Sequence, residues 1–172
     1  MRDGVKEVAP GRFREVQGRY FEEFEVGHVY EHRPGRTITD ADNVWFTLLT
    51  MNTHPAHFDY EFSKKTEFGK PLVVSPFTIA LMTGMSVSDT SGKAIANLGW
   101  DEVRMTAPLF VGDTLYSESE ITGKRLSASR PGEGSVHCRT TGTKSTGEVV
   151  LSFERSFLVP TREHDGHPTA GY

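Results

Sequence analysis

The chain has 172 residues, a formal net charge of −4 and a pI near 6.0, which fits one domain better than two and argues against nucleic acid as its main partner. Hydrophobic residues make up 36% with 11 Phe, enough for a sizeable core, and the single cysteine, Cys138, rules out an intrachain disulfide. No window approaches about 18 consecutive apolar residues, and the N-terminal Met1-Arg2-Asp3-Gly4-Val5-Lys6-Glu7 lacks an apolar signal core, so no membrane contact is expected and the default address is the cytoplasm.

Residues 1–18 are polar, contain Gly and Pro, and show no clear period, which predicts a flexible N-terminal arm. A turn at Gly27 leads into Val29 to Ile38, whose Val29, Tyr30, Thr37 and Ile38 suit a strand interrupted by Pro34-Gly35. Thr39 followed three residues later by Asp42 is a helix-start signal, a short-acid capping box. Val44, Trp45, Leu48 and Leu49 then keep helical spacing, and the helix is expected to end near Thr50.

The stretch Asn52-Thr53-His54-Pro55-Ala56-His57 places an amide and two imidazoles in a Pro-containing loop. Phe68-Gly69-Lys70-Pro71-Leu72-Val73-Val74 follows, then Ser75-Pro76 before a long apolar run. Serine is a favoured N-cap and proline a favoured first helical residue, so Ser75 is expected to cap a helix. A helix N-terminus directs free N–H groups and partial positive charge outward, which suits an oxygen that gains negative charge. The helix over Ser75 to about Val87 is apolar on nearly every side and predicts burial all round.

The second half supplies what should embrace that helix. Ile95 to Met105, Leu115 to Ile121, Ser135 to Thr143 and Val149 to Val159 have strand character, with turns at Pro108 to Asp113 and Thr146-Gly147-Glu148 and a loop over Ser127 to Gly134. Cys138 sits in an alternating strand and reads as a structural thiol. Several antiparallel strands after a buried helix mean an α+β fold, one sheet wrapped round a helix. Residues 161–172 read as a flexible tail; its Glu163-His164-Asp165-Gly166-His167 is not expected to hold a metal.

These residues together resemble the MaoC-like dehydratases, a hotdog-fold family that includes R-specific enoyl-CoA hydratases. The family motif Gly-Asp-x-Asn-Pro-x-His falls on Met51 to His57: Pro55 and His57 match, Asn52 stands where the Asp would be, and His54 where the Asn would be. A second family segment, Phe-x-x-Pro-Ile-Val-His-Gly, falls on Phe68 to Ser75, with Val74 at the His position and Ser75 at the Gly position whose amide binds the thioester oxygen. A later helix serine of some members falls near Thr83, and Val111-Gly112-Asp113-Thr114-Leu115 resembles the turn before a long strand. The segments Arg36 to Asn43 and Asn97 to Asp101 are similar to the mesaconyl-CoA and itaconyl-CoA hydratase subgroup. The resemblance covers roughly Tyr20 to Pro160 and implies one hotdog domain over residues 19–160.

It implies hydration or dehydration of a 2-enoyl-CoA thioester carrying a branched or dicarboxylic C4–C5 acyl group, with no cofactor and no metal. His57 and Asn52 would handle the water and proton, with Ser75, Thr83 and His54 around the substrate. An amide cannot act as a base, so His57 would carry more of the acid/base work, for which imidazole is suited near neutral pH. Whether Asn52 positions water or simply forms the turn stays open, and a solvent-facing role for His54 is the plainer reading. Arg104, Lys124, Arg125 and Arg130 are the candidates for the CoA phosphates. The resemblance also implies a homodimer or dimer-based oligomer. A hotdog acyl-CoA thioesterase and a non-catalytic acyl-CoA-binding or regulatory protein are the alternatives, the last because Asn52 replaces the motif Asp.

Overall fold

The computed structural model describes residues 4–164. Where a flexible arm is expected, β1 (Val5–Ala9) and β2 (Arg12–Glu15) pair as an exposed antiparallel hairpin. Gly18 anchors its end: the Gly18 N–H donates to Ser88 O at 2.7 Å, and a Cβ there would lie 2.4 Å from the Lys93 backbone nitrogen. β3 (Val29–Thr37) then leads to α1 (Asp40–Thr50).

The Thr39 cap forms as expected. The Thr39 hydroxyl accepts from the Asp42 N–H at 3.3 Å, and the Asp42 carboxylate accepts from the Thr39 N–H at 2.9 Å. Burial pushes the Asp42 pKa up, but hydrogen bonds from Thr39 and the Arg36 guanidinium outweigh it and hold the carboxyl below its ordinary value. Met51, left-handed at φ 55°, ends the helix. The single turn α2 (Tyr60–Ser63) follows, and then α3 (Ser75–Met85).

β4 (Ala96–Met105), β5 (Thr114–Leu126), β6 (Glu133–Lys144) and β7 (Val149–Pro160) complete a five-stranded antiparallel sheet in the order β3-β5-β6-β7-β4. The observed α+β architecture is the expected one, a sheet curled against the α3 helix. Met82 of α3 packs with Leu115, Leu151 and Phe153, and β6 is bare at Gly142 to admit it: a Cβ there would lie 2.7 Å from the Met82 sulfur. A second cluster, with Phe24, Ile121, Val136 and Phe157, closes the far end of the sheet; Cys138 is buried in it, and burial pushes its thiol pKa up.

Two expectations about α3 need correction. Its burial is one-sided: Thr78 and Met82 are buried, while Pro76, Ala80 and Gly84 are exposed. One chain supplies a single five-stranded sheet, and that sheet covers a single side of the helix. The residue before the helix is also different, because Val74, not Ser75, is the cap, with φ −63° and ψ 122°. Val74 O accepts the first helical bonds, from Phe77 and Thr78, and Ser75 is the first residue inside the helix.

Across β3 and β5 runs a buried polar chain. His32, with no exposed surface, makes a 3.0 Å contact to Asp89 through Nδ1 and a 2.8 Å contact to the Ser119 hydroxyl through Nε2; Ser119 in turn contacts Thr140 at 2.8 Å. Burial lowers the His32 pKa below its ordinary 6.5, with Arg33 adding to the effect and the Asp89 and Glu118 carboxylates opposing it. The unfolded chain therefore binds a proton that the folded one resists. Stability from this group is complete above about pH 6.5 and is lost as the pH falls below it toward the folded value. Melting temperature should decline with acidification in that window, and the slope there should be shallower in His32→Gln; an unchanged slope would remove His32 as its source.

Candidate active site

The loop after α1 is built by its own side chains. Asn52 Oδ1 accepts from the His54 N–H at 3.1 Å, and His54 Nδ1 accepts from the Ala56 N–H at 3.2 Å. Pro55 then opens a short 3-10 turn over Pro55–His57 that presents the His57 ring. The His57 Nδ1 lies 3.0 Å from Leu72 O. A carbonyl can only accept, so Nδ1 carries the proton and Nε2 keeps a free lone pair.

Facing His57 is the start of α3. Of its first three residues Pro76 has no N–H and Phe77 donates to Val74 O at 3.0 Å, which leaves the Ser75 N–H without a partner among the described residues. His57 and Ser75 line the same cleft, about 320 Å³ in volume. Its floor is apolar, from Phe68, Leu72, Val73, Leu109 and Leu151 among others, and its polar side chains are His57, Ser75, Thr78 and Thr106. The arrangement offers a base, a donor for an oxyanion and a dry wall.

One residue that local sequence patterns do not reveal holds these parts together. Asn43 is 1% exposed and its side-chain amide donates to His57 O at 2.7 Å and Leu72 O at 3.0 Å, while its oxygen accepts from the Val74 N–H at 2.9 Å. The loop bearing His57, the segment whose Leu72 carbonyl fixes its tautomer and the entry to α3 all meet on this one side chain.

The other expected residues lie elsewhere. Asn52 is committed through its oxygen to the turn and does not line the cleft. His54 is exposed, with its ring edge-on to Phe62 at 6.0 Å and 5.9 Å from the His57 ring. Thr83 lies two turns along α3, where its hydroxyl accepts from the Trp100 indole N–H at 3.3 Å. Among the cations, Arg104 adjoins Met105 of the cleft wall and pairs with Glu102 at 2.7 Å. Lys124, Arg125 and Arg130 belong to the other end of the sheet, roughly 30 Å along β5 from Leu115 at about 3.3 Å per residue. There Lys124 donates to Phe24 O and Arg130 pairs with Glu133 at 3.0 Å. Lys70, 4.2 Å above the Phe110 ring and two residues from Phe68, is a cation near the cleft that strand-based reasoning passes over.

Ser119, His32 and Asp89 have the hydrogen-bond order of a hydrolase triad. Ser119 has no exposed surface, however, so no acyl group reaches its oxygen, and the chain of bonds is structural. Among the described residues no group of three His, Cys, Asp or Glu side chains could hold a metal, and no helix is long and apolar enough to cross a membrane. The Asp165 and His167 of the C-terminal stretch lie outside the described residues.

A family model for mesaconyl-CoA hydratase matches residues 10–170. The chain belongs to the mesaconyl-CoA hydratase family. A mesaconyl-CoA hydratase from Cereibacter sphaeroides is 33% identical over 85% of this chain and 42% of its own length. A solved structure described as a putative MaoC domain protein dehydratase from Chloroflexus aurantiacus is 30% identical with a TM-score of 0.80, covering 88% of this chain and 42% of that one. A Mycobacterium tuberculosis protein described as a double hotdog fold matches with a TM-score of 0.77 and 26% identity, over 84% of this chain and 44% of that one. The hotdog fold is thus shown, and the chain spans under half the length of the mesaconyl-CoA hydratase it matches.

Proposed function

We propose that this member of the mesaconyl-CoA hydratase family adds water reversibly across the double bond of a 2-enoyl-CoA thioester. The observation that carries the reading is the His57 ring: Nδ1–H is fixed on Leu72 O, so Nε2 is free to take a proton inside a cleft that also holds the unpaired Ser75 N–H. Water gives a proton to Nε2 as its oxygen bonds to C3. The C2–C3 π electrons move toward the thioester, and the enolate oxygen rests on the Ser75 N–H. The imidazolium then returns the proton to C2 on the same face, a syn addition in which water supplies both atoms. No cofactor is needed, and the lining of the cleft holds no carboxylate of the kind a hotdog thioesterase would use.

The acyl group is taken to be the branched or dicarboxylic C4–C5 type that the relatives' names describe. Arg104 and Lys70, the cations beside the cleft, are the residues of this chain placed to meet the phosphates of CoA or a second carboxylate.

A second copy of the chain is the partner we infer. Among the described residues β4 is an edge strand whose outer side has no neighbour in the sheet, and Leu98, Trp100 and Met105 on it are 55%, 44% and 55% exposed. The uncovered Pro76, Ala80 and Gly84 side of α3 and the exposed Trp45, Leu48 and Leu49 of α1 add to this apolar surface. The chain covers 44% of a double hotdog, so a second copy would stand where that protein has its other half. Leu98→Asp should convert a dimer to monomers in light scattering without loss of secondary structure; a variant that remains dimeric would move the interface away from β4.

The test of activity is a panel of crotonyl-, mesaconyl- and itaconyl-CoA, read by loss of conjugated-thioester absorbance with free thiol assayed in parallel. Absorbance loss without thiol supports the hydratase and ranks its substrates. Thiol release would reassign the chain to thioesterases, and binding without either change would make it an acyl-CoA-binding protein.

A further inference from the structure

The polar side chains of the cleft include one that the family motifs do not assign. Thr78 is 4% exposed and lines the cleft with His57 and Ser75. Its hydroxyl has no hydrogen-bond partner among the described residues. Threonines near it in the chain pair theirs. Thr47 and Thr50 of α1 donate to Val44 O and Phe46 O at 2.7 Å, the back-bonding that helical threonines adopt when nothing else calls on them, and Thr90, in the turn after α3, donates to Ser86 O at 2.6 Å. Nor is the oxygen sealed away: among the described residues the sealed hydroxyls without a hydrogen bond are those of Ser117 and Ser135. A hydroxyl that opens onto the cleft and makes no bond within the chain is free to serve a water or a ligand oxygen there.

We propose that the Thr78 hydroxyl is the second donor to the thioester oxygen, completing with the Ser75 N–H a two-donor oxyanion site. The direction follows from helix geometry. Side chains lean toward the N-terminus, and residues three apart share a face, so the Thr78 side chain leans back toward Ser75. The Ser75 N–H leaves the helix from the same end. One oxygen placed beyond the first turn meets both donors. The inference rests on the hydratase reading for its chemistry, since the enolate oxygen is what two donors would stabilise.

Thr78→Val keeps the branched shape and removes the hydroxyl; Thr78→Ser keeps the hydroxyl. The valine variant should lose about 10²-fold in kcat/KM, chiefly in kcat, with a melting temperature equal to or above that of the unmodified protein, and serine should restore most of the rate. A role in packing alone would instead lower the melting temperature and leave kcat intact. A binding measurement separates this inference from the hydratase reading. Butyryl-CoA labelled with carbon-13 at the thioester carbonyl cannot be hydrated, and its carbonyl stretch should fall in frequency on binding and fall less with Thr78→Val. An equal shift in both proteins, or valine turnover within about twofold of the original, overturns the proposal. If no enoyl ester is hydrated yet the carbonyl shift depends on Thr78, the hydratase reading falls and the donor assignment stands. Failure of butyryl-CoA to bind overturns the donor assignment directly, whatever the enoyl panel shows.

Discussion

Replacing His57 with alanine should lower hydration of a 2-enoyl-CoA ester by about 10³-fold or more while the fold survives. A positioned general base contributes about 10²–10⁴, and no other imidazole or carboxylate lines the cleft to take over the proton. The stability effect should be small, because the side chain is half-buried and makes a single hydrogen bond, to Leu72 O, of a kind that contributes about 1 kcal/mol net. Steady-state kinetics and a melting curve on the same preparation check both halves. Near-normal turnover in this variant would remove His57 as the base; a large fall in melting temperature would show that the ring supports the loop more than the chemistry.

Asn43→Ala should be costlier to the fold and nearly as damaging to the rate, though Asn43 lies outside the cleft lining. Its loss leaves the Val74 N–H and His57 O without their side-chain partner in a buried setting. At about 1–3 kcal/mol for each of these two groups left unsatisfied, destabilisation of roughly 2–6 kcal/mol is expected. Loosening the base against its substrate should reduce kcat by about 10²-fold, since small misplacements of a catalytic group cost that much. Asn43→Asp is the sharper variant. The introduced carboxylate still accepts from Val74 N–H, but its other oxygen faces the carbonyls of His57 and Leu72. Only the protonated acid can donate to them, so its folded pKa is raised above the unfolded value of about 3.9. Stability is then fully present below that value and lost as the pH rises through the folded pKa. The melting-temperature gap to the unmodified protein should narrow on acidification. A gap independent of pH would show that the donor side of the Asn43 amide does not hold this loop.

How much of this was legible in the sequence differs by the range over which each feature is encoded. The Thr39–Asp42 cap and the Pro55–His57 turn depend on residues within four positions of one another, and they form as local chemistry predicts. The Ser75-Pro76 pair signals a helix start but not its phase, because serine serves before the first turn or as its first residue; Val74 O, fixed by the tertiary setting, decides for the latter. The β1–β2 hairpin had a signal in Pro10-Gly11 that low hydrophobicity obscured. Asn43 had none, since its partners are 14, 29 and 31 residues away and nothing in α1 distinguishes it from a surface amide. The cations show the same limit: residue type is read from sequence, but strand register alone puts Lys124 and Arg125 at one end of β5 and the cleft at the other. The one-sided cover of α3 likewise follows from there being one five-stranded sheet to pack against it, not from the composition of the helix.

The central claim is that water is added to an intact thioester, and its oxygen can be followed directly. The protein would be incubated with an enoyl-CoA ester in oxygen-18 water and the products read by mass spectrometry. The account predicts label on the 3-hydroxyl of an acyl-CoA whose thioester is unbroken, formed by the unmodified protein and lost with His57→Ala. Label in a free carboxylate beside released CoA, or unlabelled enoyl-CoA recovered after binding, would contradict it.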